Sequence, residues 1–319
     1  MRLDTTPRDS EPGTRLEASE TIRHSQTKGP LVTVVMGVYN GERYLAEAVE
    51  SILGQTLQDF EIIVVDDGST DRTGAILDSY DDPRLLVARQ HNEGLAAALQ
   101  KGLGMTTGEF FARQDADDVS EPTRLKRQVD FLRLNPGVVG LGTGCMEIGE
   151  DGHEMGIKRL PVDDRGCKEA LAVASPIGHG SAMVRTEVLR QAGGYRIEFR
   201  LGQDRDMWLR LSERGKLANL PERLYSWRRN PQSLSALERG EQRKATRRAL
   251  AMAVSRLHKG IDELGERVAP ASDKRTLARH RFYLGLGLFR HLHLLTGLRL
   301  MLGAQLRDVG ELGRWYSLL

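Results

Sequence analysis

Leu31-Val32-Thr33-Val34-Val35-Met36-Gly37-Val38 is a continuous β-rich run, broken at once by Tyr39-Asn40-Gly41-Glu42. Apolar runs without alternation suit a strand buried on both faces, as in a parallel sheet. Outward from it the pattern repeats. Residues 44–53 place Leu45, Ala48, Val49 and Ile52 on one helical face. Phe60-Glu61-Ile62-Ile63-Val64-Val65 predicts a second strand, ending in Asp66-Asp67-Gly68-Ser69. Residues 71–80 read as a helix and 84–88 as a third strand. Asn92-Glu93-Gly94 leads into a helix through 104, and 109–112 form a fourth strand. Strand and helix alternating four times predict an α/β fold with a mostly parallel central sheet flanked by helices.

Polar clusters follow each strand, at 39–42, 66–70, 91–94 and 115–118. Open α/β sheets bind ligands at the carboxyl ends of their strands, so the four clusters should converge on one site. The most informative is Arg113-Gln114-Asp115-Ala116-Asp117-Asp118. Three carboxylates within four residues repel one another unless a cation compensates. A divalent metal carrying a diphosphate suits them, since Mg²⁺-type sites use one or two carboxylates plus substrate phosphates. A solvated acidic turn is the plain alternative.

Farther along, 138–148 is Gly-rich and strand-like, 164–174 helical, 180–185 a strand, 187–192 a short helix and 203–214 a helix with Met207, Trp208 and Leu211 as its apolar stripe. Leu217–Leu220 and Arg223–Trp227 read as two short strands. From about residue 236 the chain is helical and basic, with a break near Pro270.

Hydrophobic content of 39% and charged content of 28% describe a globular chain. Residues 1–29 hold almost no apolar side chains and are expected to be disordered; no secretory h-region is present. Cys145 and Cys167 have no ligand-like spacing and fit a reducing compartment as buried thiols. From residue 236 onward 16 Lys and Arg face 8 Asp and Glu, a charge of +8, so the net +2 leaves −6 on the rest. The basic tail, not the body, is the part suited to an anionic surface. Arg290 and Arg299 interrupt the apolar stretch 282–306, which excludes a simple membrane span there. An amphipathic helix on a membrane surface and a hairpin packed on the main domain remain open for it. No G-x-G-x-x-G follows the first strand, and Cys145 stands at the last glycine position of Gly140-Leu141-Gly142-Thr143-Gly144-Cys145, which argues against a dinucleotide-binding dehydrogenase. A P-loop is also absent.

Read together, Val34–Gly41, Ile62–Asp71, Asn92-Glu93-Gly94-Leu95, Arg113–Asp118, Gly193-Gly194-Tyr195 and Gln203-Asp204-Arg205-Asp206-Met207-Trp208-Leu209 resemble the family 2 inverting glycosyltransferases. The resemblance covers about residues 31–230 and implies the GT-A nucleotide-diphospho-sugar transferase fold at 30–235, with a C-terminal helical extension at 236–319. It implies transfer of one sugar from a nucleotide-diphosphate sugar to an acceptor hydroxyl, with a glycan or lipid-linked acceptor and no nucleic-acid partner. The implied location is cytoplasmic, peripheral at the inner face of the cell membrane if the tail meets lipid. Val38, Tyr39, Asn40, Glu42, Asp67, Asn92, Asp115 and Ala116 are thereby placed along the donor, with Asp67 on the base. Asp117, with Asp115, is the implied ligand of Mg²⁺ or Mn²⁺. Asp204 takes the position of the general base, which is the one carboxylate an inverting attack requires. A helix cap is the structural alternative for Asp204, an Asx-turn for Asp66 and Asp67, and a cap for the helix near Pro122 for Asp118. His179, Gln203 and Arg228 are the implied acceptor or phosphate contacts.

Gln203 departs from the family, which has Glu there, and Tyr225–Asn230 lacks the His of the related segment. Without the Gln-x-x-Arg-Trp motif of processive synthases, transfer should be of a single sugar. Two other readings stand beside this one. A catalytically impaired nucleotide-sugar-binding protein has Gln203 as its support. A sugar-phosphate nucleotidyltransferase would need a Gly-rich basic loop where Tyr39–Glu42 stands.

Overall fold

The computed structural model describes residues 29–171, 174–230 and 238–264. The expectations for residues 1–28, for the break at Pro270 and for 282–306 lie outside these residues. Four strands form the parallel half of the sheet: β1 (Val32–Val38), β2 (Phe60–Asp66), β3 (Leu85–Arg89) and β4 (Phe110–Arg113), in the order β3-β2-β1-β4. Register pairs Val38 with Asp66 and Val35 with Arg113, so the strands end along one edge. Helices α1 (Leu45–Leu53), α2 (Thr73–Asp78) and α3 (Leu95–Met105) connect them.

The sheet continues through β5 (Val119–Ser120), β6 (Val138–Ile148), β7 (Glu154–Lys158), β8 (Met183–Arg185) and β9 (Lys216–Arg228). Beyond β4 the order is β8-β6-β9-β5, with β7 paired to β6. Pairs β4–β8, β6–β8, β6–β7 and β5–β9 are antiparallel, while the long β6–β9 ladder is parallel. The result is a mixed, mostly parallel central sheet. Helices α4 (Arg124–Leu134), α5 (Asp164–Ala170), α6 (Thr186–Gln191), α7 (Gln203–Ser212) and α8 (Arg239–Leu264) complete the described residues.

Alternation along β1 explains why both faces are covered. Val32, Val34, Met36 and Val38 pack with Leu45, Val49 and Ile52 of α1 and Leu125, Val129 and Leu132 of α4. Val35 points to the other layer, with Leu99 and Leu103 of α3, Trp208 and Leu211 of α7, and Ala249, Leu250 and Ala253 of α8. Trp208 is therefore core packing beneath the Asp204 helix.

Three expectations are corrected. The two strands expected at 217–227 are one, because Pro221-Glu222 bulges out of the ladder between Leu220 and Arg223; a proline without an N–H is tolerated at such a bulge. The strand expected at 180–185 begins only at Met183, since His179–Ser181 forms a 3-10 turn. The helix expected over 71–80 is limited to Thr73–Asp78. Both cysteines are free and buried, and burial pushes the Cys145 thiol up to about 11 and Cys167 up to about 12. Among the described residues no helix is long and apolar enough to cross a membrane.

Candidate active site

The loops after β1 and β2 are knitted together. The Asn40 N–H donates to Ser69 Oγ (3.0 Å), and Asn40 Oδ1 accepts from the Thr70 N–H (2.8 Å). Gly41 N–H donates to Thr73 Oγ1 (2.9 Å), and the Glu42 carboxylate accepts from the Arg72 N–H (3.0 Å). Asn40 adopts φ 52°, a left-handed conformation that Asn tolerates better than most residues. Glu42 thus ties two loops, while Tyr39, 52% exposed, lies open at the strand end. Val38 is buried, and its carbonyl accepts from the Asp67 N–H (2.8 Å).

The two aspartates after β2 do different work. Asp66 Oδ1 accepts from the Ser69 N–H (3.0 Å), the Asx-turn expected as an alternative. Asp67, only 3% exposed, accepts from Gln90 Nε2 (2.8 Å), Glu93 N–H (2.9 Å) and Gly94 N–H (2.8 Å). A carboxylate offers about four lone-pair sites, so Asp67 fixes the loop bearing exposed Asn92 and keeps about one acceptor position open.

The acidic segment hangs on a buried frame. Arg113 donates from Nη1 to the carbonyls of Val35 (2.9 Å) and Gln114 (2.6 Å), and its Nη2 pairs with the Asp115 carboxylate. Asp115 N–H donates to Tyr225 Oη (3.2 Å), and the Tyr225 hydroxyl donates to Asp118 Oδ2 (2.8 Å). Asp118 Oδ1 accepts from the Arg228 N–H (2.7 Å). Asp118 is therefore no helix cap; it is the buried post that joins the segment to β9.

Arg228 is 2% exposed. It donates to the Asp117 carbonyl (2.9 Å) and to the carbonyls of Gly149 and Glu150 (both 3.2 Å), pairs with Glu47 (2.6 Å), and stacks on Tyr44 at 4.5 Å. Its guanidinium is committed to holding this loop. Ala116 packs toward Gly41, whose added Cβ would lie 3.9 Å from the Ala116 Cβ.

Asp115 and Asp117 stay partly exposed. Burial, then the Asp115 charge, raises the Asp117 carboxyl above its ordinary range, against a hydrogen bond from Asn230. Two partly exposed hard oxygen donors, of which Asp115 is already paired with Arg113 and Asp117 is still raised by the Asp115 charge, are of the kind that suits Mg²⁺ or Mn²⁺. Among the described residues no group of three or more His, Cys, Asp or Glu side chains gathers as a metal site.

Asp204 stands in the first turn of α7, its Oδ2 accepting from Ser175 Oγ (2.8 Å). Gly202 begins that helix with φ 69°. Neighbouring Gln203 is 8% exposed, and its Oε1 has no partner among the described residues. His179 links the two sides. Its Nε2 lies 3.0 Å from Tyr195 Oη, and Gly180 beside it has no room for a Cβ, which would fall 2.0 Å from Tyr225 Oη and 2.6 Å from Asp115 Oδ2. Burial, then the Arg113 charge, pushes the His179 imidazole down to about 4, while Asp115 and Asp204 both pull it up. The ring is thus neutral at pH 7 and lies within the fields of both carboxylates.

A consequence follows for stability. Unfolded His179 binds a proton below about 6.5, and the folded ring only below about 4. Between those values the unfolded chain holds more protons, so stability falls as pH drops through that window. His179→Gln should flatten this part of the profile, as measured by urea unfolding with EDTA present.

Sequence reasoning left Arg113, Ser175, Tyr195, Tyr225 and Asn230 without roles. Of these only Ser175 stood outside the quoted motifs; Arg113, Tyr195, Tyr225 and Asn230 lay inside them.

Residues 33–191 match the profile of Glycosyl transferase family 2. The chain is 41% identical over 208 residues to the putative glycosyltransferase EpsE of Bacillus subtilis (strain 168), covering 63% of this chain and 73% of that protein. It belongs to glycosyl transferase family 2. As a member, it is a glycosyltransferase that draws on a nucleotide-sugar donor. Amylovoran biosynthesis glycosyltransferase AmsE of Erwinia amylovora is 31% identical over 198 residues, 60% of this chain and 74% of that protein. The fold is that of mannosyltransferase PcManGT from Pyrobaculum calidifontis, solved with GDP-Man and Mn²⁺, at TM-score 0.56 and 23% identity over 92% of this chain and 81% of that one. The matched family region contains Asp67, Asp115, Asp117 and His179 and stops before Asp204.

Proposed function

We propose that this family 2 enzyme moves one hexosyl unit, with inversion and without processive elongation, from a nucleotide-diphosphate sugar to a hydroxyl of a surface polysaccharide or lipid-linked glycan. The observation that carries this reading is the His179 turn. Gly180 in that turn lies against Asp115, where an added Cβ would fall 2.6 Å from Oδ2, and the Asp115 and Asp204 charges both act on the His179 ring, which supports one shared region for the two carboxylates. Polysaccharide assembly is supported by the relative named for amylovoran biosynthesis.

In this reading Asp67 receives the base N–H while Val38, Tyr39, Asn40 and Asn92 border the nucleoside. Asp115 and Asp117 would hold the divalent ion, which when bound neutralises the diphosphate as a leaving group. Arg113, Tyr225 and Arg228 keep those carboxylates in register. Asp204, oriented by Ser175, accepts the proton of the attacking hydroxyl. A neutral His179 offers a hydrogen bond without adding a cation beside the base.

The test is a panel of UDP-, GDP- and dTDP-sugars with Mn²⁺ or Mg²⁺, read as release of nucleotide diphosphate, with the anomeric configuration of the product read by NMR. Asp117→Ala should cut metal-dependent donor binding and turnover at least about 100-fold, on the order of the loss when an electrostatic stabiliser of the transition state is removed. Retained metal dependence in that variant would remove Asp117 from the site. A nucleotide-sugar-binding protein without turnover is the second reading, favoured by Gln203 with its unpartnered Oε1. It requires donor binding with metal and no release for any donor, acceptor present.

A further inference from the structure

The first turns of α8 carry Arg243, Lys244, Arg247 and Arg248, all exposed. They cover the face opposite Ala249, Leu250 and Ala253, which are buried in the core shared with α7. Lys244 pairs with Glu241, but Arg243 and Arg247 have no ion-pair partner among the described residues. Arg248 leans onto the loop before α7. It donates to the Glu198 carbonyl (3.4 Å), and its guanidinium carbon lies 5.0 Å from the Phe199 ring centre. In that loop Ile197 is 68% exposed. Of its flanking arginines, Arg196 pairs with Asp206 and Arg200 with Glu238. Glu198 in that loop and Glu241 at the start of α8 are exposed acids nearby, Glu241 being paired with Lys244.

An aliphatic side chain held in water beside a cationic face matches one kind of surface well: an anionic plane with an apolar interior behind it. Nucleic acid would satisfy the arginines and leave Ile197 in water. The charge division of the whole chain acts the same way. In sequence, the residues before 236 carry −6 and those from 236 onward +8, so an anionic membrane attracts the C-terminal part of the chain more than the part before it.

The same loop leads into the site. Tyr195 at its start meets His179 at 3.0 Å, and Gly202 at its end begins the helix that carries Asp204 and packs against Ala245 of α8. We infer that Ile197 with Arg243, Arg247 and Arg248 forms a docking surface for anionic phospholipid, which brings the acceptor side of the site to the membrane. The nature of the acceptor then follows: a hydroxyl of a lipid-linked glycan. That second step rests on the proposed transfer reaction; the docking does not.

The test is sedimentation of the full chain with phosphatidylcholine vesicles, with and without phosphatidylglycerol. Binding is expected to the mixed vesicles, to weaken as salt rises above about 0.1 M, and to be far lower on phosphatidylcholine alone. Arg243→Gln with Arg247→Gln should lower partitioning about twentyfold, roughly fivefold for each charge removed. Ile197→Ser should lower it about tenfold through loss of the apolar contact. Both variants keep the melting temperature and the Mn²⁺-dependent nucleotide affinity of the parent, which separates docking from folding. Equal sedimentation with both vesicles, undiminished binding by the arginine pair variant, or preferential retention on a short DNA duplex would each overturn the inference. Nucleotide release without vesicles is read separately. A chain that sediments but releases nothing keeps the docking surface and loses the transfer reading.

Discussion

Asp204→Asn is expected to reduce turnover about 10³-fold while donor binding with metal stays within about twofold of the parent. The asymmetry comes from what the substitution leaves in place. Asparagine keeps the volume, and its Oδ1 still accepts the hydrogen bond that Ser175 Oγ makes to Asp204 at 2.8 Å. The first turn of α7 is otherwise held by Gly202 and by the buried side chains of Gln203 and Arg205. What disappears is the proposed general base, a group worth about 10²–10⁴ in rate. The proposed nucleotide contacts lie at the ends of β1, β2 and β4, on other elements, so affinity for donor has no reason to change. Steady-state release of nucleotide diphosphate and titration with donor and Mn²⁺ read the two quantities independently. Ser175→Ala supplies the graded comparison. It removes one orienting hydrogen bond, worth about 1 kcal/mol, and should cost about fivefold in kcat. If Asp204→Asn turns over at the parental rate, the proton goes elsewhere and the proposed role ends.

The sequence made β1, β2 and β4 legible because their Val, Ile and Phe residues are buried on both faces and form near-continuous apolar runs. β7 left no such trace. All five of its residues are exposed, so no burial pattern marks it. β5, two residues long, exists only because Val119 and Ser120 meet Ser226 and Tyr225 across the sheet. Pro221 hid the continuity of β9, since the bulge that accommodates it looks like a strand break from one dimension.

The same division runs through the site. Asp115, Asp117 and Asp204 were visible as carboxylates at element ends, where local chemistry announces them. Their supports were not. Tyr225 reaches Asp115 and Asp118 from more than a hundred residues away, a pairing that no local window contains. Arg228 shows the opposite error: an arginine near expected phosphates looked free, yet four hydrogen-bond partners absorb it. Asp67 was seen as a ligand residue, and its structural duty to Gln90, Glu93 and Gly94 became apparent only when the β3–α3 loop was in place.

Asp206→Ala should produce the largest loss of stability in the chain's second half, about 3–5 kcal/mol, without touching the proposed base two residues away. Asp206 and Arg210 are one helical turn apart on α7, and both are buried. Arg210 Nε donates to Asp206 Oδ2 at 2.8 Å, its Nη2 lies at 2.7 Å, and Arg196 Nη1 approaches Oδ1 at 3.4 Å. Burial already pushes the Arg210 guanidinium down from its ordinary value, with Asp206 opposing that shift. Alanine at 206 leaves the guanidinium buried and uncompensated, the situation in which breaking an ion pair costs most. The remaining bond from Arg210 Nη1 to the Ala192 carbonyl (2.5 Å) holds the side chain in place and prevents its escape to water. Urea unfolding should show the midpoint falling with the slope unchanged. The double variant Asp206→Leu with Arg210→Met removes both charges, and most of the lost stability should return, because apolar pairs of similar volume replace buried ion pairs at little cost. Recovery in the double variant ties the loss to the unpaired charge; its absence would mean that α7 depends on the geometry of the pair itself. Against Asp204→Asn the contrast is complete: one aspartate is removed with chemistry lost and the fold kept, the other with the fold weakened and the chemistry kept wherever the chain stays folded.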